Sequence, residues 1–192
     1  GPKDEATAAL YYKKSLQTWK KEADDGDSKA ALWAALVYER KLVPDSSPEK
    51  SVPYLLQAAE SGNLTAQGLL AFKYRDGLGV PQDAAKAVEW FEKAASRKDL
   101  GAAMELGIMF RDGKYLPPDR EKAFHWFEKG AEWKDPYSMA ALADMLLEGT
   151  PSAEQAARAL ALYREAAAAG YFPAALKAAE LLQNGKDRKS VG

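Results

Sequence analysis

The feature that most limits how this chain can fold is a repeat of 36 residues. The segment "DGLGVPQDAAKAVEWFEKAA" (76–95) returns 36 residues later as "DGKYLPPDREKAFHWFEKGA" (112–131). Segments that start at residues 29, 65, 101, 137 and 173 align at the same spacing. Repetition at this period indicates that a short structural unit, unable to bury its apolar face alone, stacks on its neighbours to form a continuous core.

Each repeat is predicted to contain two helices. In the first half, apolar or small residues recur at spacings of i, i+4, i+5 and i+8, which is typical of one helix face. One of these positions always holds a small residue, which predicts close approach of another helix: Ala35, Ala71, Gly107, Ala143 and Ala179. In the second half, one position always holds a large residue: Trp19, Leu55, Phe91, Phe127 and Tyr163. The chain is therefore predicted to be all-α, with about ten helices paired as helical hairpins.

The two ends of the pattern hold half-repeats. Residues 4–24 are predicted to form a second helix without a first, and residues 173–184 a first helix without a second. Gly1-Pro2 looks like the remnant of a protease cleavage, so residues 1–3 are interpreted as such a remnant, with any natural signal peptide or lipid anchor removed. Residues 186–192 are predicted to be a flexible tail, which leaves one repeat domain over residues 4–185.

The glycine-rich segments between the helices are interpreted as turns. A phosphate-binding loop needs a preceding strand and a Lys followed by Ser or Thr, and neither is present. Asp83 and Asp119 are predicted to cap the next helix. Pro53 predicts that its helix begins near Ser51. Four glycines follow a predicted first helix, where a left-handed cap is expected: Gly77, Gly113, Gly149 and Gly185.

Composition excludes several classes of function. The formal net charge of −1 argues against nucleic acid as the main partner, because phosphate binding needs surplus Lys and Arg. No apolar run approaches the roughly 20 residues that a membrane helix needs, so no membrane insertion is expected. The absence of cysteine rules out disulfides and thiolate metal sites, and it is compatible with both cytosol and periplasm.

Catalytic chemistry has no visible signature. The single histidine, His125, aligns with Pro53, Glu89 and Ala161, and a position with such variety is typical of the solvated surface. No Ser-His-Asp group can be built except around this one residue. A pair of carboxylates stays open, because the 28 acidic residues allow many pairs. We therefore predict that the chain is not an enzyme and binds no cofactor and no metal.

Residues 66–95 carry the repeat most fully. They contain Ala66 and Leu70, a loop "GLGVPQD", then "KA" and "WFEKAA". In these motifs the chain resembles the Sel-one-like repeat (SLR) family, relatives of tetratricopeptide repeats, over roughly residues 11–185. The repeats at 138–167 and before residue 65 match less well. The resemblance implies a right-handed α-α superhelix (solenoid) of helical hairpins with a 36-residue period, used for protein–protein interaction.

In tetratricopeptide-like stacks the first helices line a concave groove, which is therefore the expected binding surface. An apolar groove flanked by arginines is typical of a protein-binding hot spot. The alternative is that Phe72 and Ile108 only fill gaps between neighbouring helices. Trp133 and Tyr137, at a turn between repeats, either bind the partner or pack against the next repeat. The candidate groove residues are Leu36, Phe72, Arg75, Met104, Ile108, Arg111 and Asp144.

The resemblance favours a binding module from a bacterium. We expect a protein that binds and neutralises one partner, as an immunity or inhibitor protein does with a secreted effector toxin, because a compact array without a further domain needs only one partner. The first alternative is a periplasmic adaptor or scaffold of a cell-envelope assembly. The second is a cell-wall or β-lactam hydrolase, for which no nucleophile is evident. A monomer is favoured, and the periplasm is favoured over the cytoplasm.

Overall fold

The computed structural model describes the backbone of residues 2–190 and the side chains of residues 4–183. Gly1 of the predicted cleavage remnant, and Val191 and Gly192 of the predicted tail, lie outside the described residues. The first helices of the hairpins are α2 (Ser28–Glu39), α4 (Leu64–Asp76), α6 (Leu100–Asp112), α8 (Pro136–Leu146) and α10 (Phe172–Ser190). The second helices are α1 (Pro2–Asp24), α3 (Pro48–Glu60), α5 (Ala84–Ala95), α7 (Arg120–Glu132) and α9 (Ala153–Ala168).

This architecture confirms the all-α fold of helical hairpins with a 36-residue period. The half-repeats predicted at residues 4–24 and 173–184 correspond to α1 and α10, and α10 continues to Ser190. The described chain divides into two compact units, the first ending at Arg97 and the second beginning at Lys98. Unit 1 contains α1–α5 and unit 2 contains α6–α10. Within each unit, helices that follow one another in the chain pack together.

The recurring small and large positions meet inside the hairpins. In unit 2, a Cβ atom placed on Gly107 would lie 2.5 Å from a carbon of the Phe127 ring, which is itself fully buried. In unit 1, Phe91 on α5 is buried, and its ring is nearly perpendicular to that of Phe72 on α4. The small residue is required because the aromatic ring of the second helix occupies the space that a side chain would fill.

The turns confirm the predicted caps in two repeats. Asp83 and Asp119 each accept a hydrogen bond, 3.0 Å long, from the backbone N–H three residues ahead. Gly77 and Gly113 are left-handed C-caps with φ of 71° and 68°. The predicted cap at Gly185 is wrong, because α10 continues past it. The predicted cap at Gly149 is also displaced, since α8 already ends at Leu146 and Leu147 is its C-cap.

Gly79 has a second role in its turn. Its φ is +78°, and a Cβ atom there would lie 2.6 Å from the carbonyl carbon of Pro48. The loop after α4 therefore rests directly on the backbone at the start of α3, which only glycine permits.

The start of α3 corrects one prediction. The helix begins at Pro48 rather than near Ser51, and Pro53 lies inside it. Proline is well suited to the first helical position, because its missing N–H would have no partner there. The buried Ser51 hydroxyl donates a 2.6 Å hydrogen bond to the carbonyl oxygen of Pro48, which supports this first turn. One lost backbone hydrogen bond at Pro53 is tolerated because α3 packs against both α2 and α4.

Substitution of Asp83 tests the caps. Asp83→Ala is expected to lower the free energy of unfolding by about 1 kcal/mol, because the backbone N–H of Lys86 loses its acceptor. Asp83→Asn keeps an acceptor and should unfold at nearly the parent midpoint in urea. Equal midpoints for all three chains would show that this cap does not stabilise α5.

Candidate protein-binding surfaces

In unit 1 the exposed side of α4 carries an arginine held over an aromatic ring. Phe72 is half-buried, and its ring meets Phe91 edge-on at 5.1 Å. The Arg75 guanidinium lies 4.8 Å from the centre of the Phe72 ring. It also donates two hydrogen bonds to Asp76, of 2.9 and 2.8 Å. The ring and the carboxylate together fix the guanidinium in one orientation.

Next to this surface, α4 buries a lysine. Lys73 is 3% exposed, and its ammonium lies 2.7 Å from the carboxylate of Glu39 on α2. It donates to the carbonyl oxygens of Pro48 and Leu78 as well, at 3.3 and 3.2 Å. The ammonium thus has two carbonyl acceptors and one carboxylate counter-ion, and it joins α2, α3 and the loop after α4. The equivalent residues in the other repeats are apolar: Val37, Met109 and Met145.

In unit 2 the equivalent arginine covers a different ring. The Arg111 guanidinium lies 5.5 Å from the centre of the Phe127 ring and donates a 2.6 Å hydrogen bond to Asp112. Hydrogen bonding to Asp112, and also to Tyr137, raises the pKa of Arg111 despite partial burial. Tyr137 packs between the rings of Phe127 and Tyr171, at 6.4 and 5.9 Å. Ile108 occupies the position of Phe72 and has no ring, so Arg111 lies over Phe127 of the second helix instead.

Asp144 is the centre of another group in unit 2. Its carboxylate accepts hydrogen bonds from the Tyr163 hydroxyl, at 2.5 Å, and from the Lys177 ammonium, at 2.6 and 2.5 Å. Burial, and then the nearby carboxylate of Asp144, raises the pKa of the Tyr163 phenol. Asp144 thus joins α8 to α9 and α10, while its side chain stays 41% exposed.

The other predicted binding residues are half-buried on their helices. Leu36 lies on α2, and Met104 and Ile108 lie on α6. Trp133 is the C-cap of α7, at the turn before α8. The structure thus joins Phe72 with Arg75, and Arg111 with Tyr137, inside their own units. Asp144 is engaged by Tyr163 and Lys177, a contact that the sequence analysis did not predict.

Sequence reasoning missed exposed aromatic and apolar residues on α2 and on α10. Trp33 on α2 is 51% exposed and stacks on Trp19 at 6.0 Å. Phe172 and Leu176 on α10 are 77% and 70% exposed. For α10 this exposure could have been predicted from the sequence, because a helix predicted to lack its hairpin partner must expose the face that the partner covers elsewhere.

Catalytic groups do not converge in the part of the chain that the structure describes. His125 is exposed, as predicted, with its ring 5.2 Å from that of Trp126. Among residues with described side chains, no three acidic or histidine groups lie close enough to hold a metal ion. None of the described helices is long and apolar enough to cross a membrane.

Two open clefts lie in unit 2. The first, of about 530 Å³, is lined by Phe110, the loop 116–119 and the first turn of α7. The second, of about 450 Å³, lies among α7, α8 and the start of α9. Arg120 borders both and is held by Glu148 and by the carbonyl oxygen of Met145. Charged side chains line both clefts: Asp119, Arg120, Glu121 and Lys122 border the first, and Arg120, Glu154 and Arg158 border the second.

Comparison with known proteins finds one family. The model of the Sel1 repeat matches four times, over residues 29–63, 65–99, 101–132 and 136–171. No curated protein matches the chain.

Solved structures with the same fold include three bacterial proteins. The first is a protective antigen present in uropathogenic Escherichia coli strains displaying an SLR fold, with TM-score 0.77 and 27% identity. The alignment covers 88% of this chain but only 36% of that one. A Sel1 repeat protein from Oxalobacter formigenes has TM-score 0.69 and 25% identity over 91% of this chain and 73% of that one. A putative sel1 repeat protein from Klebsiella pneumoniae subsp. pneumoniae, 20% identical with TM-score 0.53, covers 86% and 83% and supports the fold alone.

Proposed function

Since the chain belongs to the Sel1 repeat family of protein-interaction modules, we propose that it binds one partner protein through its first helices and neutralises that partner. Family members are in general non-catalytic, and the chain spans 36% of the length of the Escherichia coli structure that it resembles. The immunity or inhibitor role therefore goes beyond what family membership supports, and it is proposed here in addition to protein binding. The periplasmic location stays a prediction.

One observation carries the proposal: in each unit an arginine is fixed over an aromatic ring by the aspartate that follows it. Arg75 and Arg111 occupy equivalent positions; Arg75 donates two hydrogen bonds to Asp76, and Arg111 donates one to Asp112. A guanidinium that is already oriented loses little conformational freedom when a partner binds.

The apolar residues beside these arginines supply the contact area. Phe72 in unit 1, and Met104 and Ile108 in unit 2, are each half-buried, so part of every side chain still contacts solvent. Aromatic and apolar residues next to a fixed arginine are the composition of binding hot spots. Because the aspartates already neutralise the arginines, apolar contacts rather than net charge are expected to provide most of the affinity.

Binding measurements on a captured partner test this surface. Phe72→Ala is expected to weaken binding by about 2 kcal/mol, roughly thirtyfold in Kd, because it removes the ring beneath Arg75. Ile108→Ala should weaken it by a smaller factor. The control is Lys129→Ala, which removes only a surface ion pair with Glu132. Each chain is first checked for an unchanged fold by circular dichroism, and its affinity is then measured by calorimetry.

Two outcomes would overturn parts of the proposal. If Trp133→Ala abolishes binding while Phe72→Ala and Ile108→Ala bind normally, the turn between α7 and α8 is the binding site. The neutralising role is tested separately, by adding the chain in stoichiometric amounts to the captured partner. A partner that keeps its full activity when saturated would identify the chain as a scaffold rather than an inhibitor.

A further inference from the structure

The outer face of α10 is exposed where every other first helix is covered. Ala175, Ala179 and Leu182 are exposed, and Leu182 is 40% accessible. The residues equivalent to Ala179 are all buried in their hairpins: Ala35, Ala71, Gly107 and Ala143. Those equivalent to Ala175 are buried as well: Ala31, Gln67, Ala103 and Met139. With Phe172 and Leu176, these residues form an apolar stripe three turns long.

The face of α1 that would meet a preceding first helix is covered only in part. Trp19 is half-buried, whereas its equivalents Leu55, Phe91, Phe127 and Tyr163 are at most 2% exposed. Ser15 is also half-buried, whereas its equivalents are fully buried: Ser51, Ala87, Ala123 and Ala159. The described chain therefore contains one uncovered small position, Ala179, and one large residue without a small position beneath it, Trp19.

From this complementarity we propose that α10 of one copy pairs with α1 of a second copy as a complete helical hairpin, so that the chain assembles head to tail. The small position of α10 then receives the large residue of α1, just as Gly107 receives Phe127 within unit 2. Such an interface is heterologous, because it joins two different surfaces, and it leaves one free surface at each end of the assembly. This differs from the monomer favoured by the sequence.

The polar groups of the two faces also match. One aligned position of the first helices lies beside the large residue of the second helix, as Phe72 lies against Phe91 and Asp144 accepts from Tyr163. Where the first helix carries the apolar Phe72, the ring of the second helix has no hydrogen-bond donor. Where it carries the acidic Asp144, the ring of the second helix has a hydroxyl. The remaining pair is Glu180 of α10 and Trp19 of α1, which again joins a carboxylate to an aromatic donor, the indole N–H.

Two polar residues of α1 are consistent with this arrangement. Lys14 is exposed, and its equivalents Lys86 and Lys122 lie about 5 Å from the rings of Tyr74 and Phe110, which align with Leu182. The alkyl chain of Lys14 can therefore cover Leu182 while its ammonium stays in water. Glu22 aligns with Gly130, which faces the following first helix at Ser138, so Glu22 does not lie at the centre of the proposed interface.

A mixing experiment with two blocked chains tests the pairing. Sedimentation velocity of the parent chain should show a mass that rises with concentration beyond that of one chain. Ala179→Arg blocks the α10 face, and Ser15→Arg blocks the α1 face, so each variant alone should remain a monomer. Mixed in equal amounts, the two should form a one-to-one dimer and nothing larger, because one intact face of each kind remains. Gln17→Arg, on the exposed side of α1, is the matched control and should assemble like the parent.

Each contrary result overturns the proposal. A parent chain that stays monomeric at millimolar concentration shows that no second copy covers the α10 face. Self-association of Ser15→Arg alone would show that two α10 faces pair with each other. Self-association of Ala179→Arg alone would show the same for α1.

The Trp19–Glu180 contact has its own test. Trp19→Phe keeps a ring but removes the indole N–H, and it should weaken association about tenfold or more, because the buried Glu180 carboxylate loses its donor. Adding Glu180→Ile recreates the apolar combination of Ile108 and Phe127 and should restore association. Thermal melting checks that Trp19→Phe remains folded. If the double variant associates no better than Trp19→Phe, the two residues do not meet.

Discussion

Replacing Gly130 by alanine is expected to lower the free energy of unfolding by about 1–3 kcal/mol, although alanine normally favours a helix over glycine. Gly130 lies on α7, and a Cβ atom there would be 2.5 Å from the Cβ atom of Ser138 on α8 and closer still to its hydroxyl. Ser138 is fully buried, so its side chain has no space to move away. The overlap can be relieved only by separating two packed helices.

Pairs of alanines at equivalent positions in this chain indicate a compensating substitution at position 138. At three of the equivalent pairs both residues are alanine: Ala58 with Ala66, Ala94 with Ala102, and Ala166 with Ala174. The double variant Gly130→Ala, Ser138→Ala recreates this pair and should be at least as stable as the parent. It also removes a hydroxyl that has no hydrogen-bond partner among the described residues. Urea unfolding of the parent, the two single variants and the double variant measures the coupling energy between positions 130 and 138. A Gly130→Ala chain as stable as the parent would show that the two helices separate at no cost here.

Replacing Lys73 by alanine is expected to cost about 3 kcal/mol or more. The change leaves the carboxylate of Glu39, whose side chain is 26% exposed, without its cation and opens a cavity in unit 1. Lys73→Met refills the cavity with the residue found at positions 109 and 145, so it should lose less stability than alanine.

A second change separates charge from packing at this site. Glu39→Leu, combined with Lys73→Met, removes the stranded carboxylate and should recover most of the loss. The stability that is not recovered measures the cost of leaving the carbonyl oxygens of Pro48 and Leu78 without the ammonium as donor. Denaturant midpoints for the series check the order; an alanine variant as stable as the methionine variant would show that Lys73 contributes no packing.

The repeat explains which parts of the fold could be predicted. Helix positions, capping aspartates and the contact of Gly107 with Phe127 recur in register, so each repeat provides independent support for the others. Features that occur once have no such support. Gly130 and Ser138 each replace an alanine by another small residue, which attracts no notice in the sequence. Only the structure shows that the two residues are in contact, so that the methyl group absent at position 130 leaves room for the hydroxyl at position 138.

The candidate surfaces were predictable only in part. The sequence placed Arg75 and Arg111 beside apolar residues, but not against rings or in pairs with the aspartates that follow them. Lys73 was visible as a charged residue at an apolar position, yet its partner Glu39 is 34 residues away on another helix. Long-range polar pairs do not follow the helical period, and therefore periodicity cannot reveal them.

The Lys73–Glu39 pair also has a consequence for how the chain finds its native order. Similar hairpins can associate out of sequence during folding, and misassembly of this kind is a characteristic failure of repeat proteins. At the positions equivalent to Glu39 the chain carries Arg75, Arg111, Leu147 and Gln183, so no other repeat offers Lys73 a carboxylate at that position. A hairpin that docked one repeat out of place would bury an ammonium against an arginine or a leucine. A single ion pair thus distinguishes the correct neighbour from otherwise interchangeable ones.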